Sequence, residues 1–353
     1  MADLTFAEHG GWPVILGHLL EGQALTRPQA RAAMTEVLDG AASPAQIAAF
    51  IVALRMKGET VEELVGMVDA MLEAATLVEI DTSGPVIDIV GTGGDRAHTI
   101  NVSTIASIVV AGAGGRVCKH GNRAASSSCG SADLLEALGV AIELGPVGVA
   151  RCVEQAGIGF CFAPRYHPAM RHAGPSRRDL GIPTAFNILG PMSNPGRVRR
   201  YVIGVADERV SHRMAEVLRA NGAEHALIVH GGDGLDELTT TGPSTVVELR
   251  AGEITSWQVD PTELGLARAD REDLVGGDAH INADLARRVL AGEHGPHRDI
   301  VCLNSAAGLL AAGLVEDLPA GLARATAAID GGHAVGALAA LVDVSHREAA
   351  AER

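Results

Sequence analysis

The sequence predicts an α/β protein: a small all-helical unit at the N-terminus, then a larger α/β domain with a mostly parallel central sheet flanked by helices. Three observations predict it. Apolar periodicity is helical over about the first 75 residues and changes at Val86 to short β-branched runs alternating with helix-like segments. Aromatic residues make up 3% of a chain that is 47% hydrophobic, so the core rests on Ala, Val, Leu and Ile, which suits helices packed on a parallel sheet. The 43 glycines gather at strand-to-helix turns without any Gly-X-Y period.

At 353 residues the chain is long enough for two domains. The expected division is 1–80 as the helical domain, completed by about 164–190, with 81–163 and 191–353 forming the α/β domain. Thr26 before Arg27-Pro28, with Asp39-Gly40 at the far end, gives one helix a cap, an early proline and a terminal glycine. Ser43-Pro44-Ala45-Gln46 is a capping box that opens the apolar run Ile47, Phe50, Ile51, Leu54 and stops near Lys57-Gly58. Thr60-Val61-Glu62-Glu63 is a second box, followed by Val61, Leu64, Val65, Val68, Met71 and Leu72 at helical spacing. Short helices with apolar stripes must bury them, and here they are expected to do so against each other and a partner subunit.

From Val86 onward, strands are expected at Val86–Val90, Arg116–Lys119, Val140–Glu143, Gly159–Phe162, Tyr201–Val205, Ala226–Val229 and Ile300–Leu303. Thr245–Leu249 and Ile254–Val259 read as a hairpin at the sheet edge. Residues 164–190 are dense in Arg, His and Pro and hold no clear strand. They are expected to return the chain to the helical unit, leaving a cleft between two lobes. The Ala-rich stretch 304–345 reads as helix.

The formal charge of −15 argues against a general nucleic-acid binder, which usually needs a basic face. An anionic ligand would have to be held by local Lys, Arg, helix N-termini or a metal. Five scattered cysteines without CxxC spacing exclude a disulfide framework or a zinc site and point to a reducing compartment. The N-terminus lacks the pattern of a secretory leader and no run has the length of a membrane span, so a cytoplasmic protein is expected.

Five segments carry chemistry. Gly91-Thr92-Gly93-Gly94-Asp95 follows a strand and can turn several N–H groups toward a phosphate with no Cβ in the way. It is neither a Walker loop nor a dinucleotide fingerprint, because no Gly-Lys-Ser/Thr follows and Arg96 stands at the third glycine position. Alone it reads equally well as a tight turn. Asn101-Val102-Ser103-Thr104 starts a helix, with Asn101 as N-cap and Ser103 able to meet a phosphate or a metal. Lys119-His120-Gly121-Asn122-Arg123, continuing to Ser126–Ser128 and Ser131, gathers polar groups after a buried strand and reads as a second anion site. Asp236 and Glu237 are adjacent carboxylates at the carboxyl end of a strand; they suit Mg²⁺, though an acidic exposed turn is the plainer reading. His167, Arg171, His172, Arg177 and Arg178 form a cationic segment in which one arginine could grip a carboxylate. No Ser-His-Asp or Cys-His arrangement and no covalent nucleophile is evident.

Taken in order, GTGGD, NVST, KHGNR-x4-S-x-GSAD-x-LE-x-LG, FNILGPMSNP and GLDELTTTGPSTV resemble the anthranilate phosphoribosyltransferases, from the helical N-terminus to the end of the chain. The resemblance implies catalysis in a hinged cleft and a homodimer formed through helices. It implies transfer of phosphoribose from phosphoribosyl pyrophosphate (PRPP) to the amine of anthranilate, releasing pyrophosphate, in tryptophan biosynthesis. The PRPP contacts it implies are Gly91, Thr92, Gly93, Gly94, Asp95, Thr99, Asn101, Ser103, Thr104, Lys119, Asn122, Ser127 and Ser131. The anthranilate contacts are Gly91, His120, Asn122, His167, Arg177 and Pro191 of the Gly190-Pro191 turn. Ser103, Asp236 and Glu237 are the implied Mg²⁺ ligands, and a glutamine amidotransferase is a further implied partner. Cys129 and Ser193 depart slightly from the family pattern. No residue is expected to act as nucleophile or general base, because an aromatic amine is already neutral at pH 7. Two rivals on the same fold are a pyrimidine nucleoside phosphorylase, which would not need the Asp236–Glu237 pair, and a non-catalytic nucleic-acid-binding paralogue, which the acidic balance opposes.

Overall fold

Capping chemistry sets the N-terminal helices, as the computed structural model shows for a chain described over residues 4–82, 84–124 and 128–353. Helix α1 (Gly11–Leu20) precedes α2 (Arg27–Leu38), α3 (Pro44–Lys57) and α4 (Val61–Glu73). Thr26, Ser43 and Thr60 each close a capping box, with Gln29, Gln46 and Glu63 reaching back to the cap. Glu63 does more than cap. Fully buried, it also accepts from the Leu25 N–H at 2.8 Å and from Lys57 Nζ at 2.9 Å, fixing the α1–α2 connection to α4.

The sheet begins at β1 (Ile87–Gly91), and α5 (Val102–Gly112) carries the chain to β2 (Val117–Gly121). Helices α6 (Ser131–Ala137) and α7 (Pro146–Ala156) lead to β3 (Ile158–Phe162). Next come α8 (Ala163–Tyr166), a 3₁₀ turn at Pro168–His172, α9 (Gly174–Leu180) and α10 (Ala185–Met192). Strand β4 (Arg200–Gly204), α11 (Ser211–Ala220) and β5 (His225–Gly231) complete the parallel part. The hairpin β6 (Ser244–Arg250) and β7 (Glu253–Val259) forms one edge, turning through Ala251 and Gly252 at positive φ. Helices α12 (Ala279–Leu290), α13 (Pro296–Ala311), α14 (Leu318–Asp330) and α15 (His333–Ala351) end the chain.

The strand order is β3-β2-β1-β4-β5-β6-β7, parallel from β3 to β5 and antiparallel at β6 and β7. The chain leaves β1 for β2 on one side and later returns to β4 on the other, so the order reverses between β1 and β4. Open α/β sheets bind ligands at such a reversal, beyond the carboxyl ends of the strands. Helices α5, α7, α13 and α15 pack together over β1, β3, β4 and β5, while α11 lies on β5, β6 and β7 and touches α4. The segment 163–192 packs back on the N-terminal helices, α9 on α3 and α10 on α3 and α4. No single helix among the described residues is long and apolar enough to cross a membrane.

Two expected strands are corrected. Val140, Ile142 and Leu144 do alternate inward, but their segment pairs with no strand; the Ala141 N–H donates to Ser345 Oγ at 3.1 Å and the Glu143 carbonyl accepts from Arg165 at 2.9 Å. Side chains, including one from α15, take the bonds a ladder would have made. Ile300–Leu303 lies inside α13, where every residue from Ile300 to Ala311 is buried. A helix with no exposed face shows no period over four residues, so its apolar run mimics a buried strand.

Candidate active site

Gly91 and Gly204 are register partners at the carboxyl ends of β1 and β4. A Cβ on Gly91 would strike the Asp236 carboxylate, and one on Gly204 would strike the Asp236 carbonyl. Two neighbouring glycines therefore open the notch into which the loop after β5 drops its acidic pair.

Asp236 and Glu237 are 9% and 8% exposed. Asp236 Oδ2 accepts the Gly93 N–H at 2.7 Å, and Glu237 Oε1 accepts the Ser103 N–H at 3.0 Å. Glu237 thereby takes the cap of α5 expected of Asn101. Asn101 makes no side-chain cap; its Nδ2 donates to the Cys129 carbonyl at 2.9 Å, and its Oδ1 accepts from Asn282 Nδ2 at 2.9 Å. It straps the two glycine-broken loops to each other and to α12.

Burial raises both carboxyl pKa values. Asp236 lies well above the usual carboxylate range, through burial first and then repulsion from Glu237 and Asp95. Glu237 is pushed up to about 7, with Lys119 and the Ser103 hydrogen bonds opposing the shift. Lys119 is 1% exposed and donates from Nζ to the Ile89 carbonyl. Desolvation lowers its pKa, and the fields of Asp88, Glu237 and Asp236 pull it back up. Asp88 is fully buried and accepts from the His120 N–H at 3.1 Å and from Asn194 Nδ2 at 2.7 Å; burial lifts it to about 6.

The polar density of 119–123 divides in two. His120 is buried, its Nε2 has no hydrogen-bond partner among the described residues, and desolvation followed by the nearby His167 drives its pKa down to about 3. Arg123 turns the other way, to Asp133 at 2.9 Å and Glu136 at 2.8 Å, with its guanidinium 5.6 Å from the Phe162 ring centre. Asp133 also accepts the Ala124 and Gly130 N–H groups at 2.9 Å each, tying the two ends of the second loop together.

One cavity of about 360 Å³ gathers most of the expected residues: Gly91 to Asp95, Thr99, Asn101, Ser103, Thr104, Lys119, His120, Asn122, Ser131, Asp236 and Glu237. Ser126 and Ser127 lie outside the described residues. His167, Arg177 and Pro191 do not line the cavity. The His167 ring is 5.1 Å from that of His120, and its Nε2 meets the Ser193 carbonyl at 2.9 Å. Arg177 lies with its guanidinium 5.3 Å from the Phe186 ring centre, half-buried, and desolvation lowers its pKa. Gly190 and Pro191 belong to the last turn of α10 and not to a free turn. Sequence reasoning assigned no role to Asn187, which lines the cavity from α10, or to Asp88. The Thr184-x-x-Asn187 spacing is the signal that places Asn187 at a helix start; Asn187 Oδ1 accepts the Thr184 N–H at 3.0 Å, while Thr184 Oγ1 makes no hydrogen bond among the described residues.

The chemistry of this arrangement is that of a polyanion site beside a hard-cation site. Loop N–H groups, the N-terminus of α5 and Lys119 suit phosphates. Among the described residues no cluster of three or more His, Cys, Asp or Glu could hold a metal alone. Two buried carboxylates at raised pKa, lacking a full protein cage, fit Mg²⁺, which keeps waters and shares its shell with substrate phosphate.

Residues 83–335 match the glycosyl transferase family α/β domain, and residues 13–75 match that family's helical bundle domain. An anthranilate phosphoribosyltransferase of Salinispora arenicola is 52% identical over 342 residues, covering 95% of this chain and 97% of its own. One from Chloroflexus aggregans is 54% identical over 327 residues, covering 92% and 96%. The crystal structure of the anthranilate phosphoribosyltransferase of Thermus thermophilus superimposes with a TM-score of 0.89 at 43% identity, covering 94% of this chain and 99% of that one. The Saccharomyces cerevisiae enzyme in complex with PRPP and Mg gives 0.85 at 26% identity, covering 96% and 99%.

Proposed function

The chain belongs to the anthranilate phosphoribosyltransferase family, and from that premise we propose how its cavity carries the reaction. It transfers the phosphoribosyl group of PRPP to the amine of anthranilate, giving N-(5-phosphoribosyl)anthranilate and pyrophosphate. The observation that carries this reading is the buried Asp236–Glu237 pair, set between the Gly93 and Ser103 N–H groups in the cavity that Lys119 also lines.

In this reading Gly91 to Asp95, Thr99, Asn101, Ser103, Thr104, Lys119, Asn122 and Ser131 bind PRPP, with Ser127 as a further contact. Asp236 and Glu237, with Ser103 beside Glu237, would hold Mg²⁺, and the ion when bound would neutralise charge building on the departing pyrophosphate. Lys119, set among Asp88, Asp236 and Glu237, and the positive end of α5 would stabilise the same charge. The anomeric carbon becomes positive as its bond to pyrophosphate breaks, and the amine nitrogen bonds to it in turn. His120 is held neutral by burial and adds no opposing positive charge nearby. The amine is neutral before attack and needs no base to begin, so positioning supplies the acceleration; the proton it sheds once the N–C bond has formed leaves with the pyrophosphate or to water.

The acceptor half is supplied by residues 164–190, which together with residues 1–80 form one lobe; 81–163 and 191–353 form the other. His120, Asn122, His167, Pro191 and Gly91 border the anthranilate channel, and Arg177 takes the carboxylate through its bidentate fork. What supports this is the packing of α9 and α10 on α3 and α4, and the contact of the His120 and His167 rings across the two segments. Closure of one lobe on the other would shield the activated sugar from water.

The reading is tested by replacing Asp236 with Asn and Glu237 with Gln together. Mg²⁺-dependent consumption of PRPP should fall at least a hundredfold in a protein that still folds; unchanged metal dependence would sink the assignment.

A further inference from the structure

We propose that Asn304, on α13, is a positioning residue for the Asp236–Glu237 pair and acts through the backbone of Leu238. The inference rests on the reading above that this pair holds a divalent cation.

Asn304 is fully buried. Its Oδ1 accepts the Leu238 N–H at 2.9 Å, and its Nδ2 donates to the Leu238 carbonyl at 2.8 Å and to the Ile300 carbonyl of its own helix at 2.9 Å. A side-chain amide thus grips both polar groups of one residue, as a neighbouring strand would. Its orientation follows from the partners: turned over, it would set Oδ1 against two carbonyl oxygens and leave the Leu238 N–H facing a donor.

Leu238 brings no chemistry of its own, yet it is the residue directly after Glu237. Rotation of the 237–238 peptide would carry the Glu237 carboxylate away from the Ser103 N–H. The loop is held from other directions as well. Gly204 admits the Asp236 carbonyl on the β4 side, and Asp233 Oδ2 accepts the Thr239 and Thr241 hydroxyls at 2.9 and 2.8 Å. Asn304 is the hold that reaches across from the helix layer. Alanine there would leave the N–H and carbonyl of a fully buried residue without partners, and the loop would relieve that by moving.

The test is Mn²⁺ binding in the presence of pyrophosphate, followed by electron paramagnetic resonance, on the full chain and on Asn304→Ala. Partners outside the ligand shell typically change metal affinity 10–100-fold, so a loss of about tenfold or more is expected. The anthranilate KM should stay within about twofold, a split that general loosening of the fold would not produce. Mn²⁺ affinity within about twofold of the parent in folded Asn304→Ala overturns this inference and leaves the functional reading standing. A parent protein that binds no Mn²⁺ with pyrophosphate overturns both. If Asn304→Ala fails to fold, hydrogen exchange on the unsubstituted protein decides. The Leu238 amide should exchange at least a hundredfold more slowly than the exposed Gly94 amide, and more slowly still with Mn²⁺ and pyrophosphate; equal rates overturn the proposal.

Discussion

On the proposed reading, acceptor recognition turns on Arg177. It is half-buried, its charge is partly desolvated, and its guanidinium lies 5.3 Å from the Phe186 ring centre. A charged hydrogen-bonding pair of this kind is worth about 1.5–3 kcal/mol, so Arg177→Ala should raise the anthranilate KM by about tenfold or more while the PRPP KM stays within about twofold. Equal increases in both constants would remove Arg177 from the acceptor half. Asp88 makes a different prediction. Its pKa rises from 3.8 to about 6 on folding, so between those values the folded protein keeps a proton that the unfolded chain has lost. Its contribution to stability therefore falls as pH rises through that window, by roughly 3 kcal/mol at 1.36 kcal/mol per unit. Urea unfolding of the parent and of Asp88→Asn from about pH 4 to pH 7 measures this; a variant that keeps the parent's slope contradicts the account. The two residues also differ in legibility. Arg177 stood out as one cation in a cationic segment, whereas Asp88 is a lone acid in a strand-like run. Its role comes from His120 and Asn194, far away in sequence, and no local pattern reports such partners.

At the scale of elements, the site is made by strand ends and helix starts. Gly91, Ser103, Lys119 and Asp236 were legible because each sits on or just after a short β-branched run or opens the following helix, and α/β topology brings those ends together. The capping boxes at Ser43 and Thr60 were legible because their partners lie three residues away. Val140–Glu143 and Ile300–Leu303 misled because burial hides both which partner takes the backbone bonds and which period the side chains follow. Gly91 reads from sequence as part of a glycine loop and Gly204 only as a residue of the strand Tyr201–Val205; their joint purpose depends on register, which sequence does not display. That register gives a sharp test. Gly204→Ala should displace Asp236 and lower kcat at least about fivefold, since overpacking costs about 1–3 kcal/mol. Gly242→Ala, whose added Cβ meets nothing within 4 Å, should leave kcat within about twofold. Comparable rates for the two variants would mean that the notch does not hold the carboxylate.

At the scale of the molecule, the proposed reading has the acidic chain bind its polyanion by concentrating a few donors in one cavity. Lys119, the first-loop N–H groups and the α5 N-terminus face two carboxylates whose burial is tolerable when a cation joins them. The large parallel sheet sets these donors, and the segment that packs on the N-terminal helices is the proposed acceptor side. Sequence order alone could not say that His167, Arg177 and Pro191 lie outside the cavity that holds the rest, because that depends on how segment 163–192 lies across the strand ends. The measurement that tests this account most directly is anthranilate fluorescence in the presence of the protein, PRPP and Mg²⁺. The account predicts a progressive loss of fluorescence that requires both PRPP and Mg²⁺ and stops on chelation with EDTA. Fluorescence that stays constant with all components present, or a loss that proceeds at full rate after thorough chelation, would contradict it.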